Sequence, residues 1–310
     1  MKLLRATFAC LAALGLAVAT GCSSSTAPTS SSTQVTVTAA FYPFQFVAER
    51  VGGALVDVTN LTPPGSEPHD LELTPKQVAS LGESGLVIYQ SGFQPAVDAA
   101  VKTVPPRRSV DTAGFLTLET LQEEGHDHVE GDDHDHGSLD PHTWLDPKNM
   151  VAITEHVRDA LAAAEPSAAS TFATNAHTLI AELTTLDADY RKGLTGCTRT
   201  VFITSHEAFG YLAQRYGLQQ VGIRGIEPDT EPTAARIAQV QAIARTNKVT
   251  TIFFETLVSP AVTQSVAGDL GLATAVLDPL EGLTDQSQGA DYLEVMRSNL
   301  AALHRANGCS

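Results

Sequence analysis

The sequence predicts an α/β fold of two lobes, each a parallel sheet flanked by helices, joined by one long rigid helix. Three observations carry this reading. Short apolar runs alternate with amphipathic helical patterns through both halves of the 310-residue chain. Strand–helix alternation of that kind implies parallel sheets covered on both faces. Between the halves, one helical pattern continues for much longer than any other. The chain beyond residue 33 has about 275 residues, which suits two domains.

Residues 1–21 read as an export signal. Lys2 and Arg5 supply the positive start, and the apolar run from Ala6 to Ala19 is too short to span a bilayer as a mature helix. Ala19-Thr20-Gly21-Cys22 resembles a bacterial lipobox, with Ala19 where Leu is more usual, and makes Cys22 the expected lipid anchor. A plain secretory signal is the alternative. Residues 22–33 are rich in Ser and Thr and have little to bury, so a flexible tether is expected there.

The N-terminal lobe is expected over 34–165. Val35–Ala40, Leu55–Leu61 and Leu86–Tyr89 read as buried strands, and Phe44–Val51 and Pro75–Leu81 as helices. The second helix has Thr74 as its N-cap, Pro75 at the first helical position and Gln77 as the capping-box partner. A further helix is expected from Lys148 to Ala164. The linking helix is placed at 166–195, where Phe172, Ala176, Leu179, Leu183, Leu186 and Tyr190 recur at steps of three and four and form one apolar face. The C-terminal lobe, 196–310, repeats the alternation. Its strands are Thr200–Thr204, Gln220–Ile223, Thr251–Phe254 and Ala273–Leu277, and its helices Ala208–Tyr216, Pro232–Arg245, Ala261–Leu270 and Tyr292–Arg305.

The chain is strongly acidic, with 35 Asp+Glu against 19 Lys+Arg and a net charge of −16. That argues against a nucleic-acid partner, whose binders are basic. Of the four cysteines, Cys10 leaves with the signal and Cys22 is the lipid candidate. Cys197 and Cys309 remain as an even pair in an oxidising compartment, which suggests a disulfide. Two thiolate metal ligands are the competing reading, although neither Cys belongs to a C-x-x-C pair.

An acidic stretch at 123–137 carries His126, His128, His134 and His136, alternating with Asp and Glu. Imidazole is the commonest side-chain ligand for zinc and its neighbours, so the stretch reads as a secondary, weak metal site. A solvated loop with no metal role is the alternative. Elsewhere, His69 lies in a loop after the strand ending at Leu61, and His142 in a loop after the acidic stretch. His206 and Asp278 directly follow predicted strands. In open parallel sheets, ligands bind beyond the carboxyl ends of strands. Two of these four residues come from each half, so a metal held by His69, His142, His206 and Asp278 would sit between the lobes. Three imidazoles and one carboxylate suit tetrahedral zinc, and four protein ligands leave no vacant position for an activated water. Glu67 and Glu255 are candidates to support these ligands from behind. Taken singly, loop histidines are often solvated surface, and Asp278-Pro279 reads as a turn or helix cap. Glu207 follows His206, but no H-E-x-x-H motif does, so the zinc-protease pattern is not met.

At these residues the chain resembles the substrate-binding lipoproteins of bacterial ABC importers for zinc and manganese. The matching motifs are Gly-Ser-Glu-Pro-His-Asp (65–70), Asp-Pro-His-Thr-Trp-Leu-Asp-Pro (140–147), Thr-Ser-His-Glu-Ala-Phe-Gly-Tyr-Leu (204–212) and Leu-Asp-Pro-Leu (277–280). The resemblance implies two α/β lobes bridged by a long helix, with the metal between them on His69, His142, His206 and Asp278. It implies zinc more than manganese, because His206 stands where manganese-type members usually have Glu, and because a His-rich acidic insertion marks the zinc branch. It also implies a Cys197–Cys309 disulfide, as in some zinc members. The function expected is capture of Zn(II) outside the cell and delivery to a membrane permease, without catalysis. The protein would be a lipid-anchored monomer on the extracytoplasmic face of the cell membrane. A manganese-binding member, a secreted zinc hydrolase and a surface adhesin are the alternatives.

Overall fold

The computed structural model describes residues 34–120 and 139–310. Among the described residues, eight strands form two parallel sheets of four. In the first, β1 (Val35–Ala39) is flanked by β2 (Val56–Asn60) and β3 (Leu86–Tyr89), and β4 (Ser109–Asp111) pairs with the outer edge of β3. In the second, β5 (Val201–Thr204) lies between β6 (Gln219–Gly222) and β7 (Thr251–Phe254), with β8 (Ala273–Val276) outside β7. The strand order is the same in both. Each first strand sends its chain to one side and then to the other, so a crevice opens at the carboxyl ends, where loops diverge.

The helices follow local signals. In the first lobe, α1 (Tyr42–Gly52) has Pro43 in its first turn, and α2 (Pro75–Glu83) begins with the expected capping box between Thr74 and Gln77. The others are α3 (Pro95–Thr103) and α4 (Pro147–Ala164), the latter capped by the Asp146 side chain. The second lobe has α6 (Gly210–Tyr216), α7 (Ala234–Thr246), α8 (Ala261–Leu270) and α9 (Tyr292–Asn307). Gly217 and Gly271 end α6 and α8 at φ +70° and +65°, a backbone region that glycine enters without steric cost. Two elements of the first lobe, α3 and β4, are absent from the sequence reading. Their apolar patterns are faint: Val97 and Ala100 are the buried residues of α3, and β4 is three residues long with only Val110 buried.

The helix between the sheets is α5 (Ala169–Gly193), introduced by a short turn at Pro166–Ala168. At 1.5 Å per residue it extends about 37 Å. Its buried side chains are Phe172, Ala176, Leu179, Leu183, Leu186 and Tyr190, the face that the sequence spacing picks out. It packs on α1 and α4 of the first lobe and on α9 of the second, where the Tyr190 hydroxyl donates to the Met296 carbonyl at 2.6 Å. One apolar cluster therefore runs from the first sheet through α5 to Phe202, Phe253 and α9. A separate, smaller cluster fills the outer side of the second sheet under α7 and α8. Cys197 and Cys309 are joined across 112 residues of sequence, and the tail's Asn307 and Gly308 carbonyls accept from the Arg199 and Thr198 amides beside them. No helix among the described residues is long and apolar enough to cross a membrane.

Leu183 is fully buried in the shared core. Leu183→Ala should destabilise the fold by ~2–5 kcal/mol, the range for truncation of a buried leucine. Urea unfolding should show this as a lower midpoint with little change in slope.

Candidate metal centre

Four side chains converge where the carboxyl ends of the two sheets meet. His69 sits in the loop between β2 and α2. Its amide donates to Glu67 Oε1 at 3.1 Å, and Gln94 holds the preceding turn through the Pro68 carbonyl at 3.2 Å. The imidazole meets the Phe93 ring edge-on at a centroid distance of 4.8 Å. His142 precedes a short turn, Thr143–Leu145, that leads into α4. Trp144 in that turn is fully buried against Phe41 and Phe93, and its Nε1 donates to the Pro279 carbonyl at 2.7 Å. His206 follows β5, and its carbonyl accepts from Thr204 Oγ1 and Gln220 Nε2.

The fourth group is Glu281, in the loop after β8. Its Oε1 lies 3.1 Å from His142 Nε2 and 3.4 Å from both His69 Nε2 and His206 Nε2. One ligand atom from each of His69, His142, His206 and Glu281 falls within 4.8 Å of every other, and all four residues are buried. Each imidazole turns Nε2 to the centre and Nδ1 to a carboxylate behind it. His142 Nδ1 meets Asp140 Oδ1 at 2.8 Å, His206 Nδ1 meets Glu255 Oε1 at 2.9 Å, and His69 Nδ1 lies 3.5 Å from Glu227 Oε2. A carboxylate can only accept, so it fixes the proton on Nδ1 and aims the Nε2 lone pair inward. Ser205 Oγ also donates to Glu255 Oε1, at 2.6 Å. His206 Nε2 and Glu281 Oε2 are buried and make no hydrogen bond. Buried polar atoms left without partners are costly, and such atoms aimed at a common centre fit a cation.

The electrostatics agree with that geometry. Burial opposes charge on Glu281, but the His142, His206 and His69 imidazoles gathered around it prevail and hold its carboxyl well below the usual range. Burial also opposes charge on His69; Glu227, Glu281 and Glu67 outweigh it and push the imidazole up to about 10. His206 is raised well above its ordinary value by Glu255 and Glu281, again against burial. Glu67 is pushed up to about 8, by burial and then by the Glu281 charge. The ring of carboxylates thus draws positive charge into a buried centre.

The structure brings His69, His142 and His206 together, but the carboxylate among them is Glu281, not Asp278. Asp278 is buried nearby and already occupied. Its Oδ1 accepts from the Leu280 amide at 2.8 Å, and its Oδ2 from Ser287 Oγ at 2.9 Å and Thr256 Oγ1 at 3.3 Å. Asn299 brackets its backbone from both sides. Asp278 therefore ties down a turn in which Leu280 takes φ +60°, and that turn delivers Glu281. Both acids follow the same strand, so the rule that ligands follow strands could not separate them. The Asp-Pro pair, read by itself as a turn, was the available signal. Glu67 and Glu255 lie behind the imidazoles, Glu67 on the His69 amide and Glu255 on the His206 ring. Sequence reasoning missed Asp140 and Glu227, which contact the other two rings. Cys22, His126, His128, His134 and His136 lie outside the described residues. A cleft of about 560 Å³ leads to the site, lined by His69, Phe93, Leu139 and Pro141 on one side and Ile226 and Glu227 on the other.

Comparison with known proteins gives one consistent picture. The family described as "ZnuA: Zinc-uptake complex component A periplasmic" matches residues 37–306. The chain is 35% identical over 276 residues to the zinc-binding lipoprotein AdcA of Streptococcus pneumoniae, covering 87% of this chain and 55% of the relative. It therefore spans about half the length of the first curated relatives it matches. It is 34% identical to the high-affinity zinc uptake system protein ZnuA of Bacillus subtilis, covering 86% of each. The Zn(II)-bound ZnuA-like domain of Streptococcus pneumoniae AdcA superposes with a TM-score of 0.74 at 33% identity, over 88% of this chain and 99% of that domain.

A folded-state value near 10 for His69 lies above the ordinary 6.5. Its ion pairs therefore stabilise the metal-free protein fully below pH ~6.5, and that contribution is lost as pH rises through about 10. The melting temperature of chelator-treated protein should fall between pH 7 and 10, with a shallower slope in His69→Ala. Equal slopes would contradict the assignment.

Proposed function

Because the chain belongs to the ZnuA family of periplasmic zinc-uptake components, we propose that it captures Zn(II) between its lobes and hands it to the permease of an ABC importer. The observation that carries this reading is the convergence of three imidazole Nε2 atoms and one carboxylate within 4.8 Å. Three nitrogens and one oxygen suit tetrahedral zinc, whose filled d shell imposes no geometry of its own, whereas manganese favours more oxygen. The ligands in this reading are His69, His142, His206 and Glu281. Four protein ligands leave no open position for an activated water, which favours capture over hydrolysis.

The remaining assignments follow from the same reading. Residues 1–21 direct export, Cys22 carries lipid, and 22–33 tether the domain to the extracytoplasmic face of the membrane. The Cys197–Cys309 bond suits an oxidising compartment. The protein works as a monomer. The histidines of 123–137 gather zinc weakly.

Purified protein should hold one tightly bound zinc per chain. Glu281→Gln should lower zinc affinity by more than the ~10–100-fold that changes behind a ligand usually cost, and Asp278→Asn by less. Equal losses in a competition titration would return Asp278 to the ligand set. Deleting 123–137 should remove weaker zinc and spare the tight site; an unchanged total stoichiometry would exclude gathering by that stretch.

Zinc requires neutral imidazole, and His69 is raised to about 10 in the metal-free protein. Binding at pH 7.5 should therefore release at least one proton, and affinity should decline with falling pH from about 10 downward. Calorimetry in buffers of different ionisation enthalpy counts the protons; a count of zero would contradict the site.

A further inference from the structure

His142 belongs to the first lobe in chain order, yet α6 of the second lobe grips the segment that carries it. The Tyr211 hydroxyl accepts from the Glu119 amide at 2.9 Å and donates to the Asp140 carbonyl at 2.8 Å. The Asp140 amide donates to the Glu119 carbonyl at 2.8 Å, and Thr120 bridges Leu139 in antiparallel fashion. The two chain ends that flank 121–138 are stitched together there, and Tyr211 bonds to both. Asp140 then turns inward. Its Oδ1 accepts from the His142 amide at 2.9 Å and from His142 Nδ1 at 2.8 Å. Gly210 allows the close approach of α6, since a Cβ at that position would lie 2.6 Å from Asp140 Oδ2. One turn along, Arg215 Nε lies 2.9 Å from Asp146 Oδ1, the cap of α4. Both ends of the stretch 140–146 are thus bound by one short helix.

We propose that Tyr211 is a positioning residue for His142. By fixing the Asp140 backbone it aims the carboxylate that sets the imidazole, so the second lobe governs the geometry of a ligand borne by the first. Tyr211 is itself buried and its hydroxyl is used twice. Tyr211→Phe removes those two bonds and keeps the ring, which separates positioning from packing. The metal readout rests on the zinc reading above; the backbone readout does not.

The test uses Tyr211→Phe, Asp140→Asn and the double variant of the full mature chain. In metal-free protein, exchange of the His142 amide, followed by NMR, should quicken about fivefold in Tyr211→Phe, the change that one lost hydrogen bond of ~1 kcal/mol implies. In competition with a chromophoric chelator, Tyr211→Phe should bind zinc about fivefold more weakly on the same basis, and the double variant should be no weaker than Asp140→Asn alone. An unchanged His142 amide, or a Tyr211 effect that adds in full to that of Asp140→Asn, overturns the proposal. If wild-type protein fails to bind zinc while the His142 amide still responds to Tyr211→Phe, the zinc reading falls and the positioning role stands.

Discussion

The convergence of three imidazole Nε2 atoms on a single oxygen of Glu281 is the constraint to which the rest of the structure answers. Glu281 is wholly buried, as is His142, and His69 and His206 are nearly so. An ionised carboxylate removed from water is very costly unless positive charge stands beside it. Here the groups facing it are imidazoles contributed by three other loops. No single loop can satisfy Glu281, so the two sheets have to be held at one fixed separation and orientation.

Three features supply that fixity. The apolar cluster runs unbroken between the lobes through α5. Trp144 and Tyr292 bond across the junction, the indole to the Pro279 carbonyl and the phenol to the Trp144 carbonyl at 2.7 Å. Asp187 on α5 accepts from Arg215 and Tyr216 of α6, tying the second lobe to the linking helix. The residues that position the ligands therefore belong to the core or its polar margin. Asp278 is the clearest instance. Its carboxyl oxygens are taken up by a turn, and the turn presents the longer acid three residues on.

Much of this was legible in the sequence because periodicity and capping are local. The α5 face, the Thr74–Gln77 box and the strands around β1 and β5 are each specified by residues close together in the chain. His69 and His206 were legible for a different reason: a parallel sheet places its carboxyl-end loops in one crevice, so position after a strand predicts position in space, whereas His142 stood out through the motif at 140–147. That rule is blind to distances of a few residues. It could not choose between Asp278 and Glu281, because the choice depends on the left-handed turn at Leu280 and on Asn299, which comes from another helix. It was equally blind to Asp140 and Glu227. Asp140 stands in the motif at 140–147 but follows no strand, and Glu227 reaches His69 only once the lobes are assembled.

The three imidazoles are not equivalent, and the difference lies behind them. Asp140 and Glu255 are buried, and each comes from the same lobe as the ring it orients. Glu227 comes from the opposite lobe, and its side chain is 63% exposed. A buried carboxylate at 2.8 or 2.9 Å fixes its imidazole in low dielectric, where the interaction is strong and unscreened by salt. The Glu227 contact, at 3.5 Å and open to water, is weaker on each of those counts. The centre is therefore built from two imidazoles set firmly in place and a third held by a solvent-facing partner at the cleft. Metal-free, the ring of carboxylates raises His69 and His206 and so fills the centre with protons. Under the proposed zinc reading, a dication arriving through the cleft would exchange with those protons and bring comparable positive charge. The electrostatic demand of the buried acids is thus met by imidazolium charge when no metal is present.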